Sequence, residues 1–408
     1  ARTTLGLAAM LAMEEINANR TLTAGLRLGY VFGEDDKCTD IGAATSMSHL
    51  LASNKIAVII GGGCSVGCEL TGITAGTLNL LQISWGCTSP KLSDKARYPT
   101  FARTLGSQAS MSRAFVRFAL LYSWRQVALV SSRTAFVFSA TAEATDRELR
   151  AADIGTSLHY FSDGEPKMEL MTDAKKSGAS VFFLFAFTSN LRGIMLAASD
   201  LGLATAGYAF VQSGNMVTFE PSPGEEDGRN EEARAAAHGL LGIEVAPVPP
   251  SPEYSTFLEN WRSRYFAENG VEAPSSPDGY LAATYDAVYL FAHAVGEAVR
   301  NGIDVYDGRE MMRIILALSF ESLGRTVQLD AAADRDNDWS VYNVQSDQTV
   351  RVADYSFESD AFSFVPGQRI VWTGNATQPP LGVDLTVGFI IPKTGYQAYH
   401  LMAPAVKL

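Results

Sequence analysis

Four cysteines are the most reactive side chains in this chain, and three of them fall in one stretch. Cys64, Cys68 and Cys87 lie within a unit that reads strand, helix, strand: an apolar run over residues 57–60, a helix-compatible segment over 65–80 and a second apolar run over 81–85. Cys38 lies just upstream. Four cysteines allow three pairings. Parallel neighbouring strands over residues 26–33 and 57–60 would bring Cys38 and Cys64 to one end of a sheet, which favours that pair and leaves Cys68 with Cys87. The first bridge would close a loop of roughly 26 residues and contribute about 3 kcal/mol in the chain-entropy picture. Zinc is the competing chemistry, since Cys64-x-x-x-Cys68 has a tolerable spacing, but no histidine lies near enough in sequence to complete a finger.

The loop inside this unit, Gly62, Gly63, Cys64 and Ser65, offers a second chemistry. Successive backbone N–H groups at a helix start form an anion-binding nest, and glycines let a small ion come close. The wider run Gly61 to Gly67 approaches a dinucleotide fingerprint, but its third glycine arrives one residue late and a cysteine sits in the turn. A third group is Thr88, Ser89, Ser107 and Gln108, hydroxyls and an amide that would suit a cleft holding an amino-acid-like ligand; each also has an ordinary role as a surface or capping residue. Asp330, Asp334, Asp336 and Asp338 hint at calcium. A mid-loop glycine and a terminal glutamate are missing, so a solvated turn is the preferred reading.

Catalytic constellations are lacking. The five histidines (His49, His159, His238, His293, His400) are scattered, and the sequence holds neither a nucleophile elbow nor a phosphate loop of the GxxxxGK type. The chain is read as a binding protein, with no metal and no cofactor expected. A net charge of −12 argues against a nucleic-acid partner. With 47% hydrophobic and 19% charged residues it has the composition of a globular protein. No apolar run is long enough to span a membrane. The start lacks an initiator Met and a signal core, which reads as a processed or truncated chain. Sequons at Asn19 and Asn375, with the even cysteine count, point to an extracellular setting.

These groups must be held by a large scaffold, for 408 residues exceed one ordinary core. Helix and strand alternate from residue 4 to residue 212, the pattern of parallel, doubly wound α/β sheets. A polar, turn-rich loop interrupts near residues 214–233. Long helices follow over 252–268, 279–300 and 307–318, and an alternating antiparallel meander begins at residue 325. The reading is α/β, two doubly wound lobes joined by a hinge: lobe 1 from 1–122 and 238–322, lobe 2 from 123–237 and 323–373, then a linker at 374–382 and a further piece at 383–408. A hinged cleft takes small ligands, and outer faces take large ones.

Several blocks resemble the extracellular ligand-binding domain of receptor guanylate cyclases, including natriuretic peptide receptors, within the type I periplasmic-binding-protein fold. They are Ile59 to Cys64, Trp85 to Asp94, Tyr98 to Thr104, Thr284 to Leu290, Val305 to Gly308 and Leu329 to Trp339, and they look closer to invertebrate members. The resemblance implies a peptide or similar extracellular ligand, a homodimer, a transmembrane helix outside this chain leading to a cytoplasmic cyclase, and a Cys38–Cys64 bridge. It also implies a chloride on the loop matching Gly63 and Cys64, held partly by a hydroxyl; that hydroxyl's place falls near Gly33-Glu34-Asp35, whose negative charge disfavours an anion. Residues 384–392 look like the strand that opens such a domain, and 393–408 like the loop and helix start after it. A second copy, an exchanged strand and a folded-back tail all fit, and residues 385–391 are expected at an interior sheet position.

Overall fold

The computed structural model describes residues 4–34, 36–134, 136–214, 227–274, 279–346 and 348–381. The chain opens with α1 (Thr4–Ala18) and α2 (Asp40–Ser53), then β1 (Val58–Ile60), α3 (Ser65–Thr77), β2 (Leu81–Ser84) and β3 (Phe101–Arg103). The three strands form one parallel sheet in the order β1-β2-β3.

Then come α4 (Gln108–Leu121), β4 (Gln126–Ser132), α5 (Phe136–Ala151), β5 (Gly155–Phe161), α6 (Lys167–Lys176), β6 (Val181–Phe185), α7 (Thr188–Asp200), β7 (Ala209–Ser213), α8 (Asn230–Ala237) and β8 (Leu241–Val245). After α9 (Pro252–Asn269), α10 (Gly279–Arg300) and α11 (Gly308–Ala317), a hairpin of β9 (Ser319–Ser322) and β10 (Arg325–Gln328) leads to β11 (Trp339–Gln345), β12 (Gln348–Ser356) and β13 (Ala361–Phe364). The second sheet has the order β13-β12-β11-β8-β7-β6-β4-β5, parallel from β8 to β5 and antiparallel from β8 to β13.

Strands buried on both faces read as continuous apolar runs, and Val181-Phe-Phe-Leu-Phe185 is fully buried. One face of the second sheet packs on α4, where the Phe115 ring lies 4.8 Å from Phe183 and 5.1 Å from Phe185. In the first half, α10 lies between α1 on one side and β1, β2 and α11 on the other, so it is apolar nearly all round.

Three sequence expectations change. Residues 26–33 pair with no strand among the described residues and stay irregular. The lobe boundary at 122 moves back to residues 104–107, because α4 buries Met111, Phe115 and Phe118 on the second sheet. The boundary at 238 moves forward past Val245, because β8 pairs with β7 and β11. The expected linker is docked at one point: Pro380 is buried and its carbonyl accepts from the Trp124 indole at 3.0 Å, while Gly374, Asn375, Thr377 and Gln378 are exposed. The expectation for residues 385–391 lies outside the described residues.

Candidate functional site: a buried ionic hinge beside the disulfide corner

Three chain crossings join the halves, at residues 104–107, 246–251 and 329–338. Two of them meet on a buried ion pair. Arg103, at the end of β3, donates from Nε and Nη2 to the two carboxylate oxygens of Asp334, both at 2.7 Å. Its Nη1 donates to the carbonyls of Cys87 (2.8 Å) and Ser89 (3.0 Å), and Nη2 also reaches Ser93 Oγ at 2.7 Å. Arg103 is 0% exposed and Asp334 5%. A charge held this deep needs its hydrogen bonds filled, and here they are. Backbone closes the same contact, the Arg103 N–H donating to Ala333 O at 3.0 Å. Asp334 was expected in a solvated turn; instead the arginine partner carries it inside.

A second buried charge lies behind the first. Asp286, in the middle of α10, accepts from Arg335 Nη1 at 2.6 Å, Arg325 Nη2 at 2.7 Å and Ser322 Oγ. Burial and the neighbouring Arg325 lower the Arg335 pKa, while Asp286 works to raise it. Thr104 Oγ1 donates to the Ala283 carbonyl on the same helix at 2.7 Å. The crossings pack closely at Gly106, where an added Cβ would lie 2.7 Å from the Arg335 carbonyl oxygen. Lys95 is drawn in too, donating to Leu92 O and Phe101 O, and burial lowers its pKa to about 8 against the pull of Asp334.

The disulfide corner abuts this hinge. Cys38 bonds to Cys64 and Cys68 to Cys87, which removes the zinc reading. No group of three or more potential metal ligands stands among the described residues. Cys68 and Cys87 are fully buried, whereas Cys38 is exposed. At Gly62 the backbone is left-handed (φ 70°), and an added Cβ would lie 2.2 Å from Cys68 Sγ. Gly63 lies beneath the Trp85 ring. The glycines therefore make room for sulfur and indole. Cys64 caps α3 without a side-chain hydrogen bond, and Ser65 Oγ accepts from the Ser89 N–H at 3.0 Å. Glu34 sits beside His49, at 3.0 Å.

The cleft candidates are engaged elsewhere. Ser89 Oγ donates to Glu69 Oε1 at 2.9 Å, and Ser107 caps α4 by accepting from the Ala109 N–H. Gln108 Oε1 accepts from Thr141 at 2.9 Å, and the Thr88 carbonyl accepts from the Gln108 N–H at 2.9 Å. Both sequon asparagines are exposed. The residues whose role was missed from sequence are Arg103, Asp286 and Arg335, and Asp334 was assigned to a solvated turn instead of to its arginine. The available signal was a lone acid inside the apolar run of α10 and a lone arginine after Phe101-Ala102, each of which demands a buried partner.

Two α/β halves, joined by three crossings over an ionic hinge, have the architecture of a ligand-binding domain of the periplasmic-binding-protein type. The chain belongs to the receptor family ligand binding region, which it matches over residues 4–347. It is 24% identical over 401 residues to gamma-aminobutyric acid type B receptor subunit 1 of Mus musculus, covering 92% of this chain and 40% of that protein. It is 25% identical over 365 residues to guanylate cyclase 32E of Drosophila melanogaster, covering 85% and 30%. To atrial natriuretic peptide receptor 3 of Bos taurus it is 23% identical over 368 residues, covering 86% and 67%. The chain thus spans less than half of the first two relatives. Among the described residues, no helix is long and apolar enough to cross a membrane.

Proposed function

We propose that this receptor ligand-binding domain works outside the cell, as the sensing part of a membrane receptor guanylate cyclase, and signals by changing the arrangement of its halves or of a homodimer. The two disulfides suit an oxidising compartment, and Asn19 and Asn375 are accessible for glycosylation there. The membrane anchor and the cyclase belong to the longer protein, and the relatives of that class support this assignment. The chain itself carries out no catalysis, and no cofactor takes part. A ligand moves such an equilibrium only by its differential affinity for the two arrangements.

The observation that carries the choice of ligand is the engagement of Ser89, Ser107 and Gln108 in internal hydrogen bonds. A small amino acid in the cleft would need such groups free, so a peptide or similar ligand on a broader surface is favoured. The second reading, an amino-acid-like ligand between the halves, rests on the likeness to the mouse receptor subunit. Titration calorimetry against gamma-aminobutyric acid, glutamate and glycine, set beside peptide fractions, separates them. Heat from a peptide alone supports the first reading; saturable micromolar binding of a free amino acid overturns it. Raised cGMP in cells expressing the full-length receptor on peptide addition tests the cyclase assignment, and a flat response counts against it. The glycine loop is a halide candidate only if chloride raises the melting temperature over an impermeant organic anion.

A further inference from the structure

The two sequons are placed differently. The Asn19 N–H donates to Glu15 O at 3.3 Å, so the last turn of α1 carries on and sets Glu15 and Asn19 on one face. Thr21 then fixes the asparagine amide, its Oγ1 and its N–H both donating to Asn19 Oδ1, at 2.7 and 3.3 Å. Asn19 is exposed, and its Nδ2 has no hydrogen-bond partner among the described residues. Asn375 is exposed too, but it stands in a turn at positive φ (60°), and among the described residues no hydrogen bond holds its amide.

Asn19 and Thr21 also line an open groove of about 470 Å³, together with Glu15, Leu22, Tyr289 and Arg300. Tyr289 and Arg300 lie three turns and about 16 Å apart along one face of α10. Between them the turn after α1 rests on the helix: a Cβ on Gly296 would collide with the Leu22 carbonyl oxygen and lie 3.3 Å from Arg300 Nη1. Glu15 Oε2 accepts from the Tyr285 hydroxyl and, at 3.0 Å, from that of Tyr289. Burial raises the Tyr289 pKa to about 12, which keeps its hydroxyl a donor. Glu15 Oε1 has no partner among the described residues. Arg300 Nη2 donates to Glu297 at 2.7 Å, and its Nη1 and Nε are likewise without a hydrogen-bond acceptor there. The groove thus sets a spare acceptor, spare donors, a tyrosine and a leucine beside the one nitrogen to which a sugar can be attached.

We infer that this groove seats the first sugars of an N-linked glycan on Asn19, and that the seated N-acetylhexosamine core ties the end of α1 to α10. Glu15 accepts from a sugar hydroxyl or acetamido N–H, Arg300 donates to the sugar's oxygens, and Tyr289 and Leu22 meet its C–H face. Such a sugar needs little affinity of its own, because attachment beside the groove holds it at high effective concentration. The covalent step is redox-neutral. The anomeric carbon of a lipid-diphosphate-linked oligosaccharide bonds to Nδ2, its bond to the diphosphate oxygen breaks, the amide gives up one proton and the lipid diphosphate leaves. The inference rests on the extracellular reading above, since the donor and its transferase belong to the secretory pathway.

The test uses the whole 408-residue chain, secreted from glycosylating cells behind an added leader. Glycopeptide mass spectrometry should find Asn19 occupied. Against Asn19→Gln, the glycosylated chain should exchange its amides over residues 15–24 and 289–300 about fivefold more slowly, the size of one net hydrogen bond. Trimming to a single N-acetylglucosamine should keep most of that protection. In an Arg300→Ala background, occupancy should be unchanged and the difference between the glycosylated and Asn19→Gln chains should shrink, whereas a merely structural arginine would shift both alike. An occupied Asn19 with exchange equal to Asn19→Gln overturns the seat. So does a glycan on Asn375 with Asn19 bare, which leaves the extracellular reading standing; bare asparagines at both positions sink that reading as well.

Discussion

The halves flanking the hinge are held together by different means. Around the second sheet the described core is aromatic and without cysteine: Phe115, Phe118, Trp124, Phe183, Phe185 and Trp372 pack ring against ring. Among the described residues the first sheet has three short strands, and its corner is closed by two disulfides wrapped round glycines. Broad eight-stranded sheets bury enough apolar surface to hold themselves, while a three-stranded one gains from covalent restraint on the unfolded chain. The hinge belongs to both, and its buried charges fix how they meet.

The comparison can be broken at its centre first. Asp334→Ala leaves Arg103 buried without its carboxylate and should cost about 3–5 kcal/mol. Denaturant unfolding followed by hydrogen exchange in both halves should show loosening on either side of the crossing; an effect confined to one half would refute the shared hinge. Phe183→Ala should cost a similar 3–5 kcal/mol as a cavity in the second core. Its effect should stay in β4 to β8 and spare the disulfide corner.

Replacing Cys68 and Cys87 together by alanine should cost about 3 kcal/mol, felt in the first half alone. Under mild reductant the exposed Cys38–Cys64 bridge should open before the buried Cys68–Cys87 bridge, which mass spectrometry of alkylated peptides would order. Simultaneous reduction would remove the distinction between an outer and an inner staple.

The smallest effect concerns acid. Burial lowers the pKa of both His159, in the second half, and His293, whose ring stacks 4.1 Å from Phe320 in the first. A histidine whose folded pKa is lowered favours the neutral form, so its stabilisation is full above about 6.5 and is lost as pH falls below that. Stability measured from pH 7 to 5 should decline, and His293→Phe should flatten the decline in the first half only. An unchanged slope would exclude His293 as a contributor.

How far the sequence could be read varies by region. Val181–Phe185 and the alternation from residue 4 to residue 212 announced parallel sheets, because a strand covered on both faces must be apolar throughout. The meander after residue 325 was legible from its period of two, although β9, directly after the helix read over 307–318, was not anticipated. Residues 26–33 carry a strand's composition, but a strand is a relation between segments, and here the neighbour is missing among the described residues. In the candidate site, the cysteine pairing came out as read although its premise did not, since residues 26–33 pair with no strand among the described residues and the bridge alone ties Cys38 to the end of β1. The cleft residues were not, since a serine's type does not say whether its hydroxyl faces a ligand or, like Ser89, an internal glutamate.

Taken alone, the sequence determined the α/β class, the covalent corner and a binding role, because periodicity and spacing are local properties that survive in the unfolded chain. Tertiary structure alone decided that α4 and β8 serve the second sheet, and that Arg103 meets Asp334 across 231 positions. Long-range pairing depends on where the completed sheets place their ends, and no local pattern encodes that distance.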